Sequence, residues 1–194
     1  MIAVLFGRPG SGKGTQAAHV SERFGLLHVG TGDMLRREVT QGTELGREVQ
    51  PIMEHGGLVS DDLMLKVIVS RLEADDAAQG VLLDGFPRTV EQARALDEVL
   101  EQRHMPVDIV LHLLVPEDKV FARLKRRAEI DGRKDDSLAT VTSRLAVYDA
   151  ETFPVLDYYA KRGTRVEHLD GDGTIEEVSE RIDVVLSEPP APVA

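Results

Sequence analysis

The chain opens on an apolar run, Ile2-Ala3-Val4-Leu5-Phe6, that passes straight into Gly7-Arg8-Pro9-Gly10-Ser11-Gly12-Lys13-Gly14-Thr15 and then into a helical pattern. Strand, glycine-rich loop ending in Lys, and helix, in that order, is the context that a phosphate-binding P-loop requires. Glycines at 7, 10, 12 and 14 let backbone N–H groups turn inward around an anion. The helix N-terminus adds partial positive charge, and Lys13 adds a full one. A phosphate chain is the guest these groups fit; the structural alternative is a glycine-rich turn that merely precedes a helix. One position departs from the general pattern G-x-x-x-x-G-K-[ST]. Gly14 stands where the hydroxyl belongs and Thr15 comes one residue later, so the usual hydroxyl ligand of magnesium is displaced.

Composition limits what surrounds that loop. With 194 residues, 42% of them apolar, the chain can build one compact domain with room for a small insertion. A net charge of −11 and a pI near 5.0 argue against a nucleic-acid or anionic-membrane binder, which needs a basic footprint. Any anion site must therefore be locally concentrated. The chain has no cysteine, which excludes disulfides and thiolate zinc sites. No apolar run approaches the roughly 20 residues that span a bilayer. The first strand begins at the N-terminus, so no signal peptide is expected and a cytoplasmic protein is.

Short apolar runs alternate with longer helical patterns. The expected strands are Ile2 to Phe6, a weaker Leu26-Leu27-His28-Val29 interrupted by its histidine, Val81 to Leu83, Ile109 to Val115, and Arg165 to Leu169. Strands joined by crossover helices pair in parallel, which predicts an α/β three-layer P-loop fold. Its central parallel five-stranded sheet would carry ligands at the carboxyl edge. The last helix sets Ile175, Val178, Ile182 and Val185 on one face and opens with the capping box Thr174-x-x-Glu177. The tail from Glu188 to Ala194, rich in proline and poor in packing groups, is expected to be disordered.

Val81-Leu82-Leu83-Asp84 ends a buried strand on a carboxylate. In P-loop proteins an Asp there organises magnesium, directly or through water; the alternative is a cap on the next turn. Gly85-Phe86-Pro87-Arg88-Thr89-Val90-Glu91-Gln92 follows at once, and Gly30-Thr31-Gly32-Asp33-Met34-Leu35-Arg36 lies upstream. Taken with Gly7 to Thr15, these segments resemble the adenylate kinases over almost the whole chain. The resemblance implies one domain over residues 1–194. Its core would be 1–29, 60–125 and 137–187, with an AMP-binding helical insertion at 30–59, a short lid at 126–136 and a tail at 188–194.

The family pattern then implies roles residue by residue. Gly10, Ser11, Gly12, Lys13, Gly14 and Thr15 would hold ATP phosphates, with Lys13 also catalytic. Arg36 and Arg88 would grip the AMP phosphate, a task a planar guanidinium suits because it binds in two places. Gly57, Leu58 and Val59 would frame the AMP adenine, with Gly85, Phe86 and Pro87 alongside. Thr31 and Gln92 match the adenylate pattern and differ in the related uridine and cytidine monophosphate kinases. Gln92 also has a local alternative, because Thr89-x-x-Gln92 is a valid capping box; in the family the amide bonds the adenine edge, offering a donor beside an acceptor. Gly173, after Asp170-Gly171-Asp172, would meet the donor adenine through its backbone.

The segment from Glu117 to Lys134 is the most basic in an acidic chain. Lys119, Arg123 and Arg127 recur at four-residue spacing, with Val120, Leu124 and Ala128 on the neighbouring face. The apolar face would anchor the helix and the basic face would look outward. The resemblance singles out Arg127 for ATP, with Arg126 replacing it if the alignment slips by one, and Arg133 and Arg144 for both phosphate groups near the transfer point. The stretch between Arg127 and Arg144 matches the short-lid form, without a zinc knot, and Asp131-Gly132 is a turn signal and pivot. Lid closure is a known property of adenylate kinases.

These residues imply reversible, magnesium-dependent phosphoryl transfer from ATP to AMP in a monomer, with magnesium near Asp84 through water. No general base is needed, and His19, His28, His55, His104, His112 and His168 are read as structural. Two other classes remain at this stage. One is a P-loop kinase for another monophosphate, UMP or CMP; the other is a nucleotide switch, against which stand the second set of arginines and the absence of Asn-Lys-x-Asp. ATP over GTP as donor is a family expectation only.

Overall fold

The computed structural model describes residues 1–131 and 137–188. The expectations for Arg133, for a pivot at Gly132 and for the tail beyond Glu188 lie outside the described residues. Glu188, assigned to the tail, is held by Arg165, whose Nη2 donates to its carboxylate at 2.8 Å.

Strand β1 (Ile2–Gly7) is buried along its whole length. It lies between β3 (Val81–Asp84) and β4 (Ile109–Leu114), with β2 (Leu27–Gly30) beyond β3 and β5 (Arg165–Asp170) beyond β4. Every pairing is parallel, in the order β2-β3-β1-β4-β5. Successive side chains of β1 feed two separate cores. Ile2, Val4 and Phe6 join Val81 and Leu83 on one side, while Ala3 and Leu5 join Leu82 and Leu111 on the other. Burial on both faces is why β1, β3 and β4 read as near-continuous apolar runs and not as alternation. Strand β2 is an edge, so it tolerates the half-exposed His28 that interrupts its run.

One layer is made by α1 (Lys13–Phe24) and α9 (Ile175–Ser187), which cover the Ala3 side. The other contains α2 (Thr31–Gln41), α3 (Glu44–Glu54), α4 (Asp61–Leu72), α5 (Val90–Gln102) and α8 (Pro154–Lys161). Helices α2 and α3 cross so closely that a Cβ on Gly46 would lie 2.1 Å from the Glu38 carbonyl oxygen. Helix α6 (Glu117–Asp131) runs without a break through residue 126, so no change of structure marks the expected start of the lid. Helix α7 (Leu138–Val147) continues through a π-helical stretch at Tyr148–Thr152 into α8.

The α9 capping box forms: Thr174 Oγ1 accepts from the Glu177 N–H, and the Thr174 N–H donates to Glu177. Val178 and Ile182 are buried, but Ile175 is 56% exposed. It occupies the first turn of α9 and lines the main cavity instead of the core. Among the described residues no helix is long and apolar enough to cross a membrane.

The register aligns what matters for a site. Leu5 pairs with Asp84, and Asp84 with Gly30, so β2 and β3 end at the same level and β1 runs two residues further, to Gly7. The segments beginning at Gly7, Thr31 and Gly85 therefore emerge on one edge, joined by Gly171 to Gly173 after β5. This is the carboxyl edge, where parallel sheets bind ligands.

Candidate active site

The loop after β1 delivers a bare helix end. Gly12, at φ 96°, is the N-cap of α1 and supplies no side-chain cap, and the first turn holds no acidic residue. The N–H groups and the dipole there stay available to an anion. Gly10, at φ 85°, has a second reason to be glycine: a Cβ would lie 2.7 Å from Leu124 Cγ on α6. Lys13 folds back under the loop, its Nζ donating to the carbonyl oxygens of Gly7 at 2.6 Å and Arg8 at 3.1 Å. Desolvation pushes its pKa down to about 8; Asp84 pulls it up, while Arg88, Arg144 and Arg127 push it further down. Four cations converge in a chain of net charge −11, the local concentration of positive charge that an anion site in an acidic protein needs.

These groups face a cavity of about 730 Å³. Gly10 to Thr15, Arg127, Gly173, Arg36, Arg88, Arg144, Leu58 and Gly85 to Pro87 all line it. A second cavity of about 60 Å³ adjoins it, lined by Thr31, Gly57, Leu58, Val59 and Gln92, and sharing Arg36, Arg88 and Arg144. Arg36, Arg88 and Arg144 thus line both the main cavity and the small, partly apolar recess. Thr31 is buried, and its hydroxyl donates to the Gly85 carbonyl at 2.9 Å, so towards the recess its oxygen acts as an acceptor. Arg88 is oriented by an Nε bond to the same carbonyl at 2.7 Å. Arg36 Nη2 is paired with Asp33 at 2.6 Å. Arg144 is in the last turn of α7, whose Thr140 hydroxyl bonds the Glu54 carbonyl at the end of α3.

Asp84 is 13% exposed at the end of β3. A Cβ on Gly14 would sit 3.9 Å from its Oδ2, so the loop offers bare backbone opposite the carboxylate. Among the described residues no group of three acidic, His or Cys side chains could enclose a metal. A single carboxylate beside a phosphate cradle fits magnesium, which takes one or two carboxylates and fills its other positions with phosphate oxygens and water. It does not fit an all-protein cage.

Several expectations need correcting. The basic face of α6 does not look outward, because Arg123 and Arg127 both line the cavity. Arg123 bonds the Gly171 carbonyl at 3.2 Å from both terminal nitrogens and reaches Ser11 O at 3.4 Å. Its four-residue spacing from Arg127 was the available signal. Arg126 is exposed while Arg127 is half-buried in the cavity wall, which favours Arg127. Gln92 does not complete a capping box. Thr89 Oγ1 accepts from the Gln92 N–H, but the Gln92 carbonyl oxygen takes the N–H of Arg88, not that of Thr89. Among the histidines, His28 is closer to the site than expected, with Nε2 3.5 Å from Asp84 Oδ2. His112 is buried between Tyr148 and His168, and burial pushes its pKa down to about 4.

The family model for adenylate kinase matches residues 5–164. The chain belongs to the adenylate kinase family. It is 47% identical over 182 residues to the adenylate kinase of Stenotrophomonas maltophilia (strain R551-3), covering 94% of this chain and 97% of that one. The adenylate kinase of Hyphomonas neptunium is 45% identical over 188 residues, 97% and 99% of the two chains. That of Caulobacter vibrioides (strain NA1000 / CB15N) is 45% identical over 186 residues, 96% and 97%.

The low pKa of Lys13 has a measurable consequence in such an enzyme. Phosphates seated beside the Lys13 ammonium would stabilise its protonated form, so binding would be strongest where the free lysine already carries its proton, below about pH 8. Above that, binding must take up a proton. The dissociation constant for ATP is expected to rise by up to about tenfold per pH unit between about pH 8 and 9.5, as followed by titration calorimetry. A flat profile over that range would contradict the placement of the ammonium on the phosphates.

Proposed function

We propose that this adenylate kinase transfers the terminal phosphoryl group of ATP to AMP, giving two ADP, with ATP phosphates on the Gly10 to Thr15 loop and AMP in the side recess. One observation carries the division of roles. A capless helix N-terminus with Lys13 faces the same cavity as a second set of cations, Arg36, Arg88 and Arg144, and only that second set adjoins the recess. Two phosphate-binding groups on one cavity suit a reaction between two phosphates. Thr31 and Gln92 on the recess favour adenine as the acceptor base.

The chemistry follows from the charges. An AMP phosphate oxygen attacks the terminal phosphorus of ATP in line, forming one P–O bond while the bond to the departing ADP oxygen breaks. The attacking oxygen is ionised near neutral pH, so no side chain has to remove a proton. Lys13, Arg88, Arg127 and Arg144 hold and neutralise the phosphate oxygens, and their fixed positions avoid reorganisation as charge shifts towards the leaving ADP. Arg133 is assigned the same work by family resemblance. Magnesium, when bound with ATP, supplies further neutralisation of donor oxygens, and Asp84 would hold it through water. Exclusion of water by the lid protects ATP from hydrolysis.

Incubation with magnesium, ATP and a panel of monophosphates tests the assignment. ADP is expected with AMP, and little product with CMP or UMP. Phosphorylation of a pyrimidine monophosphate in preference to AMP would overturn it.

A further inference from the structure

Gln92 is 2% exposed, and its surroundings constrain it beyond contact with a base. The backbone N–H of Arg88 donates to its Oε1 at 2.7 Å, and its Nε2 donates to Asp61 Oδ1 at 2.7 Å. Its own N–H donates to Thr89 Oγ1 at 3.0 Å, and that hydroxyl donates onward to Asp61 Oδ2 at 3.2 Å. The partners at the two ends of the amide have fixed polarity. A backbone N–H only donates and a carboxylate only accepts. Turning the amide over would set NH₂ against N–H and carbonyl oxygen against carboxylate, losing both bonds in a buried setting. The amide therefore has one orientation. Oε1 keeps one lone pair and Nε2 keeps one hydrogen, and the residue lines the recess.

Asp61 stands in the first turn of α4, where an acidic residue is ordinarily explained by the helix dipole. Here both its oxygens are bonded to the start of α5. We propose that Asp61 is a specificity-determining positioning residue: by locking the Gln92 amide, it makes the recess select a base with an exocyclic amine beside a ring-nitrogen acceptor and reject a 6-oxopurine. Adenine presents its N6 amine to Oε1 and N1 to the Nε2 hydrogen. Hypoxanthine presents the reverse, O6 and N1–H. The proposal rests on the assignment of Gln92 to the acceptor base.

The experiment compares AMP with IMP, which differ only at that edge of the base. Asp61→Asn keeps the shape but can meet either end of the amide, so the wrong orientation forfeits one bond instead of two. The ratio of kcat/KM for AMP over IMP is expected to fall by about tenfold, the scale of one hydrogen bond to a charged group. The change should lie in KM and not in kcat, as for an interaction made equally in the ground and transition states. A purely structural Asp61 would lower the melting temperature and scale both substrates together, and an unchanged ratio in the folded variant overturns the proposal. If Asp61→Asn does not fold, Asp61→Ser removes the same lock and is judged by the same ratio. Failure of the underlying assignment looks different: Gln92→Ala would leave the KM for AMP unchanged, or the unmodified enzyme would not prefer AMP over IMP, and either result removes the role of Asp61 as well.

Discussion

Lys13→Met is expected to lower kcat by about 10²- to 10³-fold, the usual loss when one charged donor is taken from a developing anion. The substitution keeps length and apolar bulk while removing the ammonium. Two effects on stability oppose each other. Bonds to the Gly7 and Arg8 carbonyls disappear, at about 1 kcal/mol each. In return the fold no longer holds a desolvated cation that Arg88, Arg144 and Arg127 repel. The melting temperature should therefore move little while turnover collapses, a separation that steady-state kinetics with AMP and a thermal melt resolve. Near-normal turnover would remove Lys13 from the transfer step. Lys13→Arg should not restore the rate, because a planar fork cannot reproduce a point charge tucked under the loop.

How much of this was legible in the residues depended on distance along the chain. Strand β1, the loop and the start of α1 are contiguous, so one run of fourteen residues, Ile2 to Thr15, specifies a strand buried on both faces and the anion site that follows it. Strands β3 and β4 were visible for the same reason, burial on both faces leaving apolar runs; the edge strands β2 and β5 are half-exposed and carry polar residues, and were the weaker signals. Side-chain direction was harder to foresee. The α6 face bearing Arg123 and Arg127 has the spacing of a solvated charged stripe, and its place on the cavity rests on contacts distant in sequence, Leu124 against Gly10 and Arg123 on Gly171 among them. Ile175 continues the periodicity of α9 but is exposed on the cavity and not packed in the core. Least legible were the polar networks. Thr89-x-x-Gln92 satisfies a local rule, yet the Gln92 oxygen takes the neighbouring Arg88 N–H while its nitrogen is held by Asp61, 31 residues away. A capping pattern and a long-range clamp use the same residue types, so local sequence cannot separate them.

Arg88→Ala should cost about 3 to 4 kcal/mol of transition-state stabilisation, again about 10²- to 10³-fold in kcat, and it should exceed the loss in Arg36→Ala. The reason is preorganisation. Arg88 lines both cavities, and its Nε is fixed on the Gly85 carbonyl before any ligand arrives. Gly85 supports that arrangement through a backbone at φ 81°, and a Cβ there would lie 2.9 Å from Thr31 Oγ1 and 3.1 Å from Arg88 Nη2. Arg36 is held by Asp33, so part of its attraction for phosphate is already offset by a carboxylate. Arg88→Lys keeps the charge but gives up the planar fork and with it the fixed orientation; its rate should fall between those of the parent and the alanine variant. Arg88→Ala should also lower kcat and kcat/KM together, as expected of a contact that strengthens in the transition state. A rise in the KM for AMP with kcat unchanged would make Arg88 a binding group only, and would move the stabilising role to Arg144 and Lys13.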